Sequence, residues 1–429
     1  MLKKLCCLVL TAVLCCTSVL AAPAPIHKVN AKAAILYEVN TDTLLLEQDA
    51  DMKLFPASTT KLMTALVAME YGNPDDVVTV TNEAIDGLYE QGSASYLLNG
   101  EQIAFMDLMR YLLIGSGNDA ANALAIHVSG SIEGFVDLMN NKAEELGLTN
   151  THFCNPTGLH NEEHYTSARD LLIVTKAAME NEVIAQLVAE DEVVLPVTNK
   201  HDRTTTKYST NYLLSKKATG EYYYEGAIGI KTGTTTPAGL CLVAGCVKGD
   251  YTYYSVVLGC EKVEGTSMQF AETIKLFNWG AASYSQQVLL SASEPITQVP
   301  VRLGDEKDSV VVRPSESITA MLPNTYEMKT DLKMEYTLAE NVTAPVKAGD
   351  VLGELTVRYE DKSYTLDLIA AADVERSTML YVLDRITAFF TSTTFKIIVA
   401  SIVALIIILV VYAILINRKR AKRRKNRRR

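Results

Sequence analysis

The chain has 429 residues, of which 48% are hydrophobic, and its 40 basic and 50 acidic side chains give a formal net charge of −10. Outside residues 1–22 and 396–429 the balance is −23, because 13 of the basic side chains lie in those two end segments. Such an acidic region argues against nucleic acid as a partner. The roughly 370 residues between the ends exceed what one hydrophobic core usually holds, which predicts two domains.

The N-terminus has the pattern of a secretory signal peptide. Lys3 and Lys4 precede an apolar run over residues 5–20, and small residues follow it. A basic start, an apolar stretch and small residues at a cleavage site direct export. We therefore expect residues 1–22 to be absent from the mature chain.

Residues 31–284 mix helical and strand patterns, which predicts an α/β (α+β) domain with an antiparallel sheet flanked by helices. The spacing of apolar residues predicts helices over 134–146 and 167–182, and hairpins of 34–38 with 43–47 and of 239–247 with 251–259. Cys241 and Cys260 either meet across the second hairpin or remain buried thiols.

A Ser-x-x-Lys motif opens the first strongly helical stretch. Ser58 follows Pro56 and precedes apolar residues at helical spacing, so it is expected at a helix N-terminus. Unpaired backbone N–H groups and the helix dipole stabilise an oxyanion there. Lys61 lies on the same helix face, within reach of the serine, and acts as a base when burial or a second cation lowers its pKa. The motif therefore predicts a nucleophile and its base.

Two further motifs supply the other parts of an acyl-transfer site. Ser116 and Asn118 lie in a Gly-Ser-Gly-Asn turn between two helical patterns, where the serine would relay a proton and the asparagine would bind a substrate amide. The third motif begins at Lys231, and Gly233 in it lets an extended peptide approach the strand edge. The side chains expected to bind a substrate carboxylate are Lys231, Thr232, Thr234 and Thr235. Each motif alone is usually a cap, a turn or a strand end, but their order favours function.

The C-terminal part has a different character. Short alternating strands separated by turn signals predict a small all-β sandwich over 295–375, with no catalytic grouping. Residues 378–395 have helical spacing and predict an amphipathic stalk. The 20 uncharged residues 397–416 are long enough for one transmembrane helix. Ten basic residues follow, so the tail 417–429 is expected in the cytoplasm, with anionic membrane lipid as its partner.

The three motifs in this order resemble those of the penicillin-recognising serine enzymes. The stretches 56–64, 115–121 and 150–159 are similar to those of low-molecular-mass penicillin-binding proteins that are D-alanyl-D-alanine carboxypeptidases, and 344–349 is similar to their C-terminal β-domain. The resemblance implies a serine β-lactamase/transpeptidase-like fold and removal of the terminal D-alanine from peptidoglycan pentapeptides ending in D-Ala-D-Ala. It also implies inhibition by β-lactam antibiotics, no cofactor or metal, and a single-pass protein of the bacterial cell membrane with its catalytic region outside.

The resemblance also implies a role for each motif residue. Ser58 is the acylated nucleophile, Lys61 its base, and Ser116 with Asn118 the second element. The backbone N–H groups of Ser58 and Thr235 correspond to the oxyanion hole. Relatives often carry an arginine for the terminal carboxylate after the strand that follows the third motif, but 265–270 contains none. Carboxylate binding is therefore expected to depend more on Lys231, Thr234 and Thr235.

Three alternatives remain at this point. A class A β-lactamase needs a glutamate with an asparagine four residues later, whereas Glu145 and Asn150 are five apart. A transpeptidase would use an amine in place of water. The third alternative, a non-catalytic wall-binding membrane protein, would not need the intact serine and lysines.

Other patterns favour structural roles. The His160 to His164 spacing does not match the zinc-protease motif. Asp170 is expected to belong to a helix cap. The run 222–224 of three tyrosines is typical of a packing cluster, with a place in the cleft wall as the alternative.

Overall fold

The computed structural model describes residues 26, 28–88, 96–216, 220–325, 332–359 and 362–426. The expected signal peptide, 1–22, and the last three residues of the tail lie outside them. The chain divides into two compact units. The first comprises the residues up to Ser285 together with Met321–Thr325, and the second comprises Gln286–Ala320 and the residues from Tyr326 onward.

The first unit combines short antiparallel strands with helices. Its strands are β1 (Ala33–Glu38), β2 (Thr43–Gln48), β3 (Val77–Thr79), β4 (Gln102–Ala104), β5 (Glu192–Leu195), β6 (Thr205–Tyr208), β7 (Ala227–Thr235), β8 (Gly239–Lys248), β9 (Tyr251–Cys260), β10 (Lys262–Val263) and β11 (Thr266–Ser267). Its helices are α1 (Lys61–Tyr71), α2 (Asn82–Ile85), α3 (Phe105–Leu113), α4 (Asn118–Ser129), α5 (Ile132–Glu145), α6 (Ala168–Glu180), α7 (Glu182–Val188) and α8 (Met268–Ser283). A 3₁₀ turn, Ala57–Thr60, leads directly into α1.

The central sheet of this unit has the strand order β2-β1-β9-β8-β7, with every neighbouring pair antiparallel. Both faces of its inner strands are buried, because side chains alternate between two apolar clusters. In β1, Ile35 packs into the cluster that contains α1, whereas Leu36 packs on the opposite face with α8. The sheet therefore lies between two helical layers, and α1 occupies the interior of one of them.

The second unit is rich in strands. Its strands are β13 (Thr297–Pro300), β14 (Ser309–Pro314), β16 (Lys333–Leu338), β17 (Val351–Tyr359) and β18 (Lys362–Ala370), and they form an antiparallel sheet in the order β13-β14-β18-β17-β16. Two further strands, β12 (Tyr284–Leu290) and β15 (Ile318–Pro323), pair with each other, and each includes residues assigned to the first unit. The sheet has an apolar interior because residues such as Val312, Leu355 and Leu368 are fully buried.

Two helices end the described chain. The amphipathic α9 (Thr378–Thr391) has no buried residue, and α10 (Thr393–Asn426) follows it. Within α10, Thr393–Ala421 contains the only described segment that is long and apolar enough to cross a membrane, with a mean hydropathy of 3.3. The predicted combination of an α/β domain, a β-rich domain and one C-terminal apolar helix is confirmed.

Several local predictions have clear outcomes. Cys241 and Cys260 are free thiols, so the hairpin is not bridged. Ser167 caps α6 by accepting a hydrogen bond from the backbone N–H of Asp170, as the cap pattern predicted. The packing interpretation of the tyrosine run holds for Tyr222, which is buried against Phe270 at a ring-centroid distance of 5.2 Å.

Candidate active site

Ser58 lies in the Ala57–Thr60 turn, where the chain enters α1. Strand β7 passes close behind this turn at Gly233. A Cβ atom on that glycine would lie 2.8 Å from the Pro56 carbonyl oxygen and 3.0 Å from the Ser58 nitrogen. Only a residue without a side chain permits this approach, so the third motif lies directly against the backbone of the first.

Lys61 begins α1 and is completely buried. Its Nζ donates to Ser58 Oγ at 2.9 Å, to Asn118 Oδ1 at 2.6 Å and to the carbonyl oxygen of Thr157 at 2.6 Å. These three oxygen atoms hold the nitrogen beside the serine hydroxyl, and when the amine is neutral the Ser58 hydroxyl can donate to it. This is the geometry required of a nucleophile and its base.

Burial and a neighbouring cation favour the neutral form of Lys61. Burial lowers its pKa well below the ordinary lysine value, and the nearby Lys231 lowers it further. The Asp119 carboxylate acts in the opposite direction and raises the pKa of Lys61. Because burial is the largest of the three effects, the environment favours the neutral amine, which is the form that can accept a proton from Ser58.

The second and third motifs meet at a hydrogen bond between Lys231 and Ser116. Lys231 Nζ, itself buried in β7, donates to Ser116 Oγ at 2.9 Å and to the carbonyl oxygen of Thr232 at 3.1 Å. Burial lowers the pKa of Lys231 to about 7. Asn118 rather than Ser116 bonds to Lys61, so each motif lysine has its own partner in the 116–118 turn.

A polar cleft of about 320 Å³ opens above these groups. Its described lining consists of Ser58, Ser116, Thr210, Tyr212, Thr232, Gly233, Thr234, Ser267, Gln269 and Phe270. The hydroxyls of Thr210 and Thr232 are hydrogen-bonded to each other across its wall. An open, hydroxyl-lined groove along a strand edge is suited to an extended peptide.

The position of Thr235 differs from that of the other third-motif threonines. Its hydroxyl accepts a hydrogen bond from the backbone N–H of Ala238 at 3.2 Å, and it is not among the residues lining the cleft. This side chain stabilises the turn between β7 and β8. The carboxylate-binding role of the Thr235 side chain and the oxyanion role of its backbone N–H both stay predictions.

The 154–158 loop is hydrogen-bonded to the start of α1 beside the nucleophile, and the sequence patterns did not identify this role. Besides the bond from Lys61 to Thr157, Thr64 Oγ1 donates to the carbonyl oxygen of Pro156 at 2.6 Å. Asn155 Oδ1 accepts from the backbone N–H groups of Thr157 and Gly158, which fixes the loop. The clue in the sequence was the Asn-Pro-Thr-Gly run, a turn signal that does not reveal what the turn touches.

His164 joins this loop to the Ala57–Thr60 turn. Its Nδ1 accepts from the backbone N–H of Cys154 at 3.1 Å, so its Nε2 carries the proton and donates to Thr60 Oγ1 at 2.9 Å. Burial lowers the pKa of His164 to about 3, and the neighbouring basic groups act in the same direction. The residue is thus a neutral hydrogen-bonding link near the site.

Asp119 is another functional candidate that the motifs missed. It is completely buried beside Asn118, and its Oδ2 accepts from the backbone N–H groups of Tyr96 and Leu97 at 2.6 and 2.8 Å. It holds residues 96–97, which precede β4, against α4, and it provides a negative charge near Lys61.

The residues considered for a β-lactamase lie elsewhere. Glu145 Oε2 pairs with Lys142 at 2.7 Å near the end of α5, and the backbone N–H of Asn150 donates to Asp170. Neither residue is among those lining the cleft.

Comparison with known proteins agrees with this arrangement. Residues 18–262 match the family described as D-alanyl-D-alanine carboxypeptidase, and residues 284–376 match the C-terminal domain of penicillin-binding protein 5. The D-alanyl-D-alanine carboxypeptidase DacF of Bacillus subtilis (strain 168) is 32% identical over 366 residues, which cover 83% of this chain and 89% of that protein.

Solved structures give the same result. Penicillin binding protein 5 of Haemophilus influenzae has a TM-score of 0.58 and 29% identity, and the match covers 82% of this chain and 100% of that chain. A mutant of the Streptomyces K15 DD-transpeptidase has a TM-score of 0.55 and 31% identity over 60% of this chain and 100% of its own. Taken together with the site geometry, these matches show that the chain belongs to the D-alanyl-D-alanine carboxypeptidase family.

Proposed function

We propose that this protein is a penicillin-binding, serine-type D-alanyl-D-alanine carboxypeptidase that removes the terminal D-alanine from peptidoglycan stem pentapeptides. The observation that supports this most strongly is the 2.9 Å hydrogen-bond distance between Nζ of the fully buried Lys61 and Ser58 Oγ. A neutral lysine at that distance activates the serine without a histidine.

The first half of the reaction is acylation. Lys61 takes the hydroxyl proton of Ser58 while Oγ attacks the carbonyl carbon between the two D-alanines. The backbone N–H groups of Ser58 and Thr235 stabilise the oxyanion that forms. The C–N bond then breaks, and the departing amine receives a proton through Lys61 and Ser116. A β-lactam acylates the same oxygen when its ring amide opens.

The second half is hydrolysis of the ester on Ser58. Lys61 is again the base, and it takes a proton from the water that attacks the ester carbonyl. Before acylation, Lys231, Thr232 and Thr234 hold the terminal carboxylate of the intact peptide, which leaves with the D-alanine, and Gly233 leaves the edge of β7 open to the peptide backbone. Asn118, which is hydrogen-bonded to Lys61, binds the substrate amide and keeps the base in place.

The proposed function is tested with the detergent-solubilised full chain. Wild type and Ser58→Ala are incubated with diacetyl-Lys-D-Ala-D-Ala, and released D-alanine is measured by mass spectrometry. We expect release by the wild type alone. Folded wild type that releases no D-alanine would contradict the proposal and favour the non-catalytic wall-binding protein.

A second candidate activity is transpeptidation, which the likeness to the Streptomyces K15 DD-transpeptidase favours. It shares the acyl-enzyme, and only the acceptor differs. Adding an amine acceptor such as glycine to the same assay separates the two activities, since a transpeptidase forms the new peptide at the expense of the hydrolysed product.

We further propose how the chain is arranged at the bacterial membrane. Residues 1–22 direct export, 31–284 form the catalytic domain, and 295–375 form the β-domain outside the cytoplasm. The stalk 378–395 lies on the outer face, 397–416 span the bilayer, and 417–429 contact anionic lipid on the cytoplasmic side. Protease added outside intact cells should remove the catalytic domain but leave a C-terminal tag protected.

A further inference from the structure

A second pocket opens at the turn between β7 and β8 and has no part in the acylation or hydrolysis steps. Its volume is about 230 Å³, and it is lined by Lys32, Lys53, Leu54, Phe55, Glu162, Tyr165, Pro237 and Ala238. Phe55 precedes Ser58 by three residues, and Pro237 follows Thr234 of the cleft by three. Three residues of chain span at most about 11 Å, so the pocket lies beside the nucleophile and the cleft.

The acyl part of a bound peptide is directed toward this pocket. The proposed function places the terminal carboxylate near Lys231 and Thr232, early in the third motif. It places the reacting carbonyl at the backbone N–H groups of Ser58 and Thr235, further along β7. The residues that precede the scissile bond therefore continue in the direction of Pro237.

The third residue of the stem pentapeptide immediately precedes the first D-alanine. Its Cα lies about 5 Å from the reacting carbonyl carbon, and a long side chain adds roughly 6 Å. This reach of about 11 Å equals the largest distance between the pocket wall at Phe55 and the nucleophile. The third side chain of the peptide is thus the one that can enter the pocket.

The pocket presents two lysines whose side chains are held in place. Lys53 Nζ lies 4.3 Å from the centroid of the Tyr165 ring. The stem of Lys32 packs on Gly259, where an added Cβ would lie 2.8 Å from its Cγ. Neither lysine belongs to an ion pair in the described part of the chain, although 50 acidic side chains outnumber 40 basic ones. Two such ammonium groups favour a carboxylate as ligand.

Glu162 adds one group of opposite sign. Its side chain is 83% exposed, and its Oε1 lies 3.4 Å from His160 Nε2. A ligand ammonium beside this carboxylate would be stabilised only weakly, because water screens the pair. The apolar walls formed by Leu54, Phe55 and Pro237 are suited to methylene groups. A side chain that ends in both a carboxylate and an ammonium therefore matches the pocket better than one that ends in an ammonium alone.

We propose that this pocket binds the third side chain of the stem peptide and selects one that ends in an amino acid group, as in diaminopimelate, over the lone ammonium of lysine. This inference rests on the proposed function of the same site. Lys32 and Lys53 contact the acyl part of the substrate, so the chemistry at Ser58 is unchanged.

The test compares three peptides ending in D-Ala-D-Ala on the full chain in detergent. Their third residue, acetylated on its α-nitrogen, is meso-diaminopimelate, lysine or Nε-acetyl-lysine. Wild type should hydrolyse the diaminopimelate peptide with a kcat/KM at least about fivefold above that of the lysine peptide, with the acetyl-lysine peptide between them. This ratio should fall in about 1 M salt, where charges are screened beyond about 3 Å. A smaller ratio in low salt overturns the proposal.

Charge removal locates the preference. Lys32→Gln and Lys53→Gln should each lower the diaminopimelate-to-lysine ratio, and the double variant should bring it within about twofold of one. Lys28→Gln is the matched control, because Lys28 is exposed and four residues from Lys32 but is not among the residues lining this pocket. Its ratio should stay within about twofold of wild type. A double variant that keeps the wild-type ratio, or a control that loses it equally, overturns the proposal.

A second readout separates failure of this inference from failure of the proposed function. Each peptide is tested for protection of Ser58 against fluorescent penicillin, which measures binding without turnover. Tighter protection by the diaminopimelate peptide without release of D-alanine from any peptide would refute the hydrolase and retain the pocket. Release of D-alanine from all three peptides at equal kcat/KM would refute the pocket and retain the hydrolase. Penicillin acylation and the thermal midpoint report whether each variant is folded.

Discussion

Replacing Gly158 by alanine tests whether the 154–158 loop positions the nucleophile. Gly158 has a φ of +79°, and an added Cβ would lie 1.9 Å from the Ala57 carbonyl oxygen and 2.8 Å from Thr60 Oγ1. Ordinary contact begins near 3.4 Å, so the loop and the Ala57–Thr60 turn must separate by about 1.5 Å.

The size of the effect follows from this displacement. A left-handed backbone costs alanine about 1 to 2 kcal/mol, and overpacking adds about 1 to 3 kcal/mol. A misplacement of about 1 Å reduces catalysis about 100-fold. We therefore expect Gly158→Ala to lose about 3 kcal/mol of stability and to be acylated by penicillin at least about 100-fold more slowly.

Gly147→Ala is the matched control. Gly147 has a φ of +72°, but nothing lies within 4 Å of an added Cβ. It should lose only about 1 to 2 kcal/mol and keep the wild-type acylation rate. Unfolding of the catalytic unit is followed by the fluorescence of Trp279, the single tryptophan of the chain. Acylation of Gly158→Ala within threefold of wild type would refute the positioning role.

Two predictions concern pH. Burial lowers the pKa of Lys231 to about 7. The kcat/KM for diacetyl-Lys-D-Ala-D-Ala should therefore fall above about pH 7 as the Lys231 ammonium loses its proton. In Lys231→Arg, which stays charged, this fall should disappear, and an unchanged pH profile would contradict the assignment. The pKa of His164 is lowered to about 3 in the folded state, whereas the ordinary value is 6.5. As the pH falls, the unfolded chain binds a proton on His164 at a higher pH than the folded chain does. The free energy of unfolding should therefore decrease by about 3 kcal/mol from pH 7 to pH 4 because of this residue. Urea unfolding at the two pH values should show a smaller decrease for His164→Gln; equal decreases would exclude this cause.

Local sequence was sufficient for the parts of the protein that depend on periodicity and motif spacing. The three-residue separation of Ser58 and Lys61 on a helix determines that their side chains can meet. Alternating residues in 239–247 and the pairing of 34–38 with 43–47 predicted strands of the central sheet, because a strand presents successive side chains to opposite faces. The apolar run 397–416 predicted a candidate membrane span by length and composition alone.

Only the tertiary structure decided which groups the site residues contact. Lys61 bonds to Asn118 and Thr157, which lie 57 and 96 residues away, and Lys231 bonds to Ser116, 115 residues away. Such pairings depend on how helices and strands pack, and no local pattern encodes them. Sequence therefore determined the chemical groups, and long-range packing determined their partners, charges and pKa values.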